Sequence, residues 1–195
     1  VDAQVSASVV DYSPWLHAGT DTDAVTAGFQ GDFSYLHAAA QSPQTGALGR
    51  IDEGIGLIAD GALTGNARTL MLHNGTFVED AQIDRPITLA GESKATSILE
   101  PVGAQVDLYY GAPTHLLVTS GDVVIRDLQF SGDEAVCDEA VMIEDSSNVT
   151  VQDCDFHNYN SDAIYVLNGV AGHSTGIHIR NNSIHHIRQS NNNIT

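Results

Sequence analysis

An eight-residue pattern returns three times in the second half of the chain. Val123-Val124-Ile125-Arg126-Asp127-Leu128-Gln129-Phe130 is followed by Val149-Thr150-Val151-Gln152-Asp153-Cys154-Asp155-Phe156, and then by Ile177-His178-Ile179-Arg180-Asn181-Asn182-Ser183-Ile184. Each copy reads aliphatic, any, aliphatic, polar, Asp or Asn, two further residues, then Phe or Ile. The copies start 26 and 28 residues apart. Alternation of apolar side chains ended by Asp or Asn describes a short strand entering a bend. Recurrence at this period points to a solenoid, whose units bury their apolar faces by stacking on one another. Columns Val123/Val149/Ile177, Ile125/Val151/Ile179 and Phe130/Phe156/Ile184 are then expected to face inward. Asp127, Asp153 and Asn181 are expected to share a corner, where their side chains bond locally to backbone.

The rest of the chain fits many short strands. Aromatic residues make up 6% and Gly numbers 18 of 195 residues, a composition that favours tight bends over long helices. Residues 1–18 form a strand-like segment ending in Val10-Asp11-Tyr12-Ser13-Pro14-Trp15-Leu16. Residues 19–50 are rich in Gly, Asp and Ser, lack a sustained period, and read as an irregular junction with local anchors. Ile51, Ile55, Ile58 and Ala59 lie at helical spacing, so a short amphipathic helix is expected over 51–60. Strands follow at 70–72, 75–77, 87–91, 97–99 and 116–118, with further ones at 141–143 and 163–166. The expected division is 1–18, 19–50, and a solenoid over 51–195.

These segments resemble a known family. Thr69-Leu70-Met71-Leu72-His73-Asn74-Gly75-Thr76-Phe77-Val78-Glu79 and Ile83-Asp84-Arg85-Pro86-Ile87-Thr88-Leu89-Ala90-Gly91-Glu92, after the helix at Ile51, are similar to the opening coils of the pectate-lyase-like superfamily. The resemblance implies an all-β fold: a right-handed, single-stranded parallel β-helix with a short N-terminal capping α-helix. It covers 51–195 well and 1–50 more loosely. The segments at Val10–Leu16 and Gly28–Ser34 resemble module junctions of large repetitive bacterial surface proteins, in which the Tyr-Ser-Pro-Trp segment usually closes one β-helix before the next begins. The superfamily holds lyases, hydrolases, epimerases, adhesins and structural modules, so it implies fold more than activity.

In this chain the closing segment comes first. Since Val1 is not an initiator Met, the chain reads as a processed product or an excised piece. An open solenoid end exposes unpaired backbone and apolar side chains. Residues 1–16, with Val5, Val9, Tyr12 and Trp15, are therefore expected to supply a strand to the open end of a neighbouring copy or module, near Ile194. Such heterologous contacts build filaments unless they close. An arbitrary cut through a longer chain is the alternative.

Charge narrows the partners. With 25 acidic against 7 basic residues the net charge is −18, and Lys94 is the single lysine. Such a surface repels nucleic acid and anionic membrane and suits divalent cations or high salt. No run of about 18 apolar residues exists, so membrane insertion is not expected. Asp133, Glu134 and Asp138, and separately Asp21 and Asp23, offer hard oxygen ligands at a density suited to Ca²⁺ as a cofactor. Neither group completes an EF-hand or a calcium-binding β-roll repeat.

Outward positions Arg126, Gln152, His178 and Arg180, beside Asp127, Asp153 and Asp155, are where a glycan-cleaving set would lie. Gln152 interrupts the basic track, and the aspartates are explained as corner residues. No catalytic residue is assigned. Cys154 is expected to be a small buried group, with a disulfide to Cys137 left open. His185-His186, if extended, point to opposite faces and cannot chelate together; a transition-metal site would need a third ligand such as His157. Asn74, Asn148, Asn181 and Asn193 head N-glycosylation sequons. The reading is a non-catalytic extracellular or cell-surface structural or adhesive module, stacking on itself or on adjacent modules. The alternatives are a lyase or hydrolase of acidic polysaccharide and a Ca²⁺-dependent glycan-binding module.

Overall fold

The computed structural model describes residues 16–18, 35–38, 50–57, 68–103, 105, 111–168 and 172–188. Val5, Val9, Tyr12, Trp15, Asp21, Asp23 and Ile194 lie outside them, so the expectations that rest on these residues do too. From residue 69 onward the chain passes through three parallel sheets in rotation. The first circuit is β3 (Thr69–Leu72), β4 (Gly75–Val78) and β5 (Ala81–Ile83). The second is β6 (Thr88–Gly91), β7 (Ser97–Glu100) and β8 (Thr114–Val118), and the third β9 (Val123–Arg126), β10 (Gln129–Ser131) and β11 (Glu139–Glu144). The fourth is β12 (Val149–Gln152), β13 (Asp155–His157) and β14 (Asp162–Leu167), and a fifth begins with β15 (His178–Arg180) and β16 (Ser183–His185). Every strand pairs in parallel with its counterpart one circuit away, giving an all-β fold with a single short helix among the described residues.

The eight-residue repeat accounts for the register. Val123 pairs with Val149, Ile125 with Val151 and Val151 with Ile179, while Phe130 pairs with Phe156 and Phe156 with Ile184. Because alternate residues of a strand face opposite ways, in-register stacking turns the aliphatic positions into continuous inward columns. Val123, Ile125, Val149, Val151, Phe130 and Phe156 are fully buried. The Phe130 and Phe156 rings stack 4.8 Å apart.

The corners explain the Asp and Asn positions. Asp127, Asp153 and Asn181 all sit in the left-handed region, at φ of 58°, 56° and 56°, a conformation Asp and Asn tolerate better than most side chains. The next residue, Leu128 or Cys154, turns inward and is fully buried. On the fifth circuit that place falls to Asn182, whose amide donates to the Val151 carbonyl and whose oxygen accepts from Cys154 N–H, each at 2.9 Å. A second left-handed row precedes the first sheet: Asp122, Asn148 and Gly176, at 57°, 59° and 65°. There the Asn148 amide donates to Asp122 at 3.1 Å.

Helix α1 (Arg50–Leu57) lies where the short helix is expected, and Ile58 and Ala59 fall outside the described residues. Ile51 and Ile55, one turn apart, are buried. Gly54 lets the helix approach so closely that a Cβ there would lie 2.7 Å from the Leu70 side chain. Glu79, at the end of the first circuit's second strand, accepts from the Ile51 N–H with both carboxylate oxygens at 3.1 Å. A negative group at a helix N-terminus satisfies an orphan donor and complements the dipole. In return Asp52 accepts from Gln82 N–H at 3.1 Å.

Two observations add to what the sequence left open. The junction 19–50 contains a strand, β2 (Tyr35–Ala38), which pairs in parallel with β3, while β1 (Leu16–Ala18) pairs antiparallel with β2. The first sheet thus extends across the expected junction and ends in an antiparallel strand. Cys137 and Cys154 are buried free thiols. The reason the junction strand escaped notice is its brevity: four residues give no periodicity to read.

Candidate functional site

The outward face of the first sheet carries the richest side chains. Its register aligns Met71, Ala90, Arg126, Gln152 and Arg180 in one column and Thr69, Thr88, Val124, Thr150 and His178 in the neighbouring one. Arg180 donates from Nε and Nη2 to the Gln152 amide oxygen at 2.9 and 2.6 Å. The Gln152 amide donates to Asp153 at 3.0 Å, and Arg126 pairs with Asp127 at 2.5 Å. These positions form a ladder in which each cation or amide is matched by a corner carboxylate or its neighbour. Glutamine at 152 links it rather than leaving a gap.

One segment turns this face into a cleft. The corner between β6 and β7 has five residues, 92–96, where the later circuits have two. With Glu92, Ser93 and Thr96 it stands beside Arg126 and Asp127, and together with Met71 and Asn74 it borders a shallow, widely open depression of about 700 Å³. Glu92 is held in place: its carboxylate meets His73 Nδ1 at 2.5 Å and the Asn74 N–H at 3.0 Å. Thr96 donates to the Asn74 side-chain oxygen. Gly91 is required here, because a Cβ would stand 2.2 Å from the Asp127 carbonyl oxygen. The cleft thus offers two carboxylates, one guanidinium, an amide and hydroxyls, a donor and acceptor set suited to a polyhydroxylated ligand. Sequence reasoning found Arg126 and Asp127 and missed Asn74, Glu92 and Thr96. The unequal corner length was the available signal.

A second, more acidic cleft of about 540 Å³ lies on the second sheet's outer side, bounded by Glu100, Ser131, Asp133, Glu134 and Asn158. It joins two of the expected calcium ligands. Asp133 accepts from the Ala135 N–H at 2.9 Å, and Glu134 pairs with Arg188 at 3.3 Å. Asp138 does not line this cleft; its carboxylate accepts from the Asn160 amide at 2.8 Å. Among the described residues no three His, Cys, Asp or Glu side chains converge as a metal-binding group.

Inside the fold, His115 is buried and bonded at both ring nitrogens. Nδ1 meets the Tyr159 hydroxyl at 2.6 Å and Nε2 the Glu79 carbonyl at 3.1 Å. Burial drives its pKa down to about 4, against a smaller upward pull from Asp80, so the ring is neutral near pH 7. With the carbonyl able only to accept, Nε2 carries the proton and Nδ1 accepts from Tyr159. Burial likewise pushes the Cys154 thiol up to about 12 and the Cys137 thiol higher still. Neither is a nucleophile at neutral pH.

The C-terminal histidines overturn one geometric expectation. His186 is not extended but left-handed, at φ 54°, matching Asn158 at φ 64° one circuit below. The kink swings its ring back, and the Nδ1 atoms of His185 and His186 lie 2.7 Å apart. His157 stacks on His185 at 5.1 Å.

Compared with protein-family models, curated proteins and solved structures, the chain has no match.

Proposed function

We propose that this chain is a right-handed, single-stranded parallel β-helix module that serves outside the cell as a non-catalytic structural or adhesive element and stacks end to end. The hand rests on the rule that parallel strands joined by crossovers wind right-handed in about 98% of cases. The observation that carries the role is the contrast along single columns. Val151 and Phe156 are fully buried, whereas Ile179 and Ile184, their partners on the fifth circuit, are 48% and 51% exposed. Apolar side chains and strand edges left uncovered at a solenoid end are a surface for a further circuit. That circuit comes from a second copy or from an adjacent module of a larger protein. The charge of −18 disfavours nucleic acid and anionic membrane as partners.

The reading is tested by chromatography with light scattering and by negative-stain images over a wide concentration range. Moderate salt is needed to screen repulsion between acidic copies. Growing oligomers or fibres, reduced by Ile184→Asp, are expected. A concentration-independent monomer would overturn self-stacking.

A carbohydrate-active lyase or hydrolase is the second reading, favoured by Glu92 and Asp127 lining one cleft with Arg126. Release of reducing ends or unsaturated uronic products from an acidic polysaccharide, lost in Glu92→Gln, would support it.

A further inference from the structure

We propose that His157, His185 and His186 form an acid-released clasp that holds the fifth circuit onto the fourth. The proposal does not depend on what, if anything, stacks above that circuit. Three elements meet there. β13 brings Asp155 and His157, β16 brings His185, and the left-handed residue after β16 brings His186. β10 contributes neutral Gln129, whose amide donates to His157 Nε2 at 2.9 Å. Of the other charged side chains on the fifth circuit, Arg188 pairs with Glu134 and Arg180 bonds to Gln152.

Proton counting defines the behaviour. Two Nδ1 atoms 2.7 Å apart need one proton between them, since two lone pairs or two N–H groups repel. Asp155 Oδ1 is shut off from solvent with no hydrogen bond, and His185 Nε2 stands 3.2 Å from it. A first proton taken up by the pair can rest on His185. Its Nδ1–H then donates to His186 and its Nε2–H faces Asp155, so the clasp tightens. A second proton has no such place. On His186 it sets two N–H groups face to face. On His157 it sets a cation against the stacked His185 ring and removes the lone pair that accepts from Gln129. Burial first, then the two neighbouring imidazoles, hold His157 toward its neutral form against the pull of Asp155.

Repulsion at this place acts on few bonds. On the β16 side the circuit is held by the β13–β16 ladder, by Ser183 N–H to Cys154 O at 2.9 Å and by Asn158 N–H to His186 O at 3.1 Å, while the β12–β15 ladder and the Asn182 bonds hold its other side. Both β16 and β15 are exposed along their length. Acid therefore opens this edge before the rest of the fold.

Hydrogen exchange by mass spectrometry on the full chain tests this, with rates corrected for intrinsic pH dependence. As pH falls from 7.5 to about 5, past the ordinary value of about 6.5 at which a histidine released to solvent takes up its proton, protection across 183–186 is expected to fall at least about tenfold. Protection across 149–152 should stay constant. In the separate variants His157→Gln and His186→Gln the fall should shrink, and circular dichroism of each variant at pH 7.5 verifies that it is folded. An unchanged fall in both folded variants, or pH-independent protection in the parent, would overturn the clasp.

Discussion

The first and fifth circuits of the described stack are built from the same columns and are covered to different degrees. At the first circuit Leu70 is covered by α1 through Ile51, Ile55 and the close approach at Gly54, and the first sheet ends in the antiparallel strand β1. At the fifth, β15 and β16 are exposed throughout, and Asn182 stands where Leu128 and Cys154 stand below. The comparison separates what a residue is from what covers it. Ile179 and Val151 are close chemical equivalents in adjacent places of one column, yet one is half exposed and the other fully buried. Stability in such a fold is a property of interfaces between circuits rather than of the circuits themselves.

The largest effect should come from cutting the same column at two heights. Phe156→Ala removes a ring stacked on Phe130 and leaves a cavity between covered circuits, which costs about 3–5 kcal/mol. Ile184→Ala, directly above it, should cost less than about 1 kcal/mol, since half of that side chain already meets water. Urea unfolding of both variants at low protein concentration measures the difference. Equal losses would break the comparison, because they would mean that Ile184 is as well covered in solution as Phe156.

Acid should act on the two ends differently. His115 bonds to the Glu79 carbonyl, and Glu79 also caps α1, so this ring belongs to the closed half. Its folded pKa, about 4, lies below the ordinary 6.5. The unfolded chain therefore takes up the proton first, and stability present above pH 6.5 is lost as pH falls toward 4. The shift corresponds to about 3 kcal/mol of global stability. His115→Gln should flatten the pH dependence of the urea midpoint in that window. An unaltered slope in a folded variant would remove His115 as its source. Loss at the fifth circuit is instead local.

Most of the strands were legible in the sequence because each circuit repeats a local rule. Two aliphatic positions, a polar one, then Asp or Asn at a left-handed corner set the register of β9, β12 and β15 without any long-range information. What could not be read was set by contacts between circuits of unequal length. Glu92 became part of a cleft because its corner is three residues longer than those beside it, so nothing repeats there. An extended backbone would set His186 on the face opposite His185, and its φ of 54° takes it out of that conformation. β2 has too few residues to declare a period and is defined by the strand it pairs with. The partners of the acidic residues were equally out of reach of the sequence: Asp133, Asp138 and Glu134 meet a turn, an amide and an arginine.

The smallest effect tests the cap. Glu79→Gln keeps the length of the side chain and the backbone carbonyl that binds His115, and removes only the charge facing the first turn of α1. A carboxylate at that place contributes about 1 kcal/mol through the N–H bond and the dipole together. For a domain of this size the melting temperature should fall by about 2–4 °C. Exchange across 50–57 should rise more than elsewhere, because the helix is the element released. If fraying of α1 also raises exchange in β3, the closed end will have come to behave like the open one, and the cap is what distinguishes them. If the helix loosens while β3 stays protected, the antiparallel pairing of β1 and β2 beyond it is enough to finish the sheet. No change in either would mean that Ile51 and Ile55 hold the helix without the carboxylate.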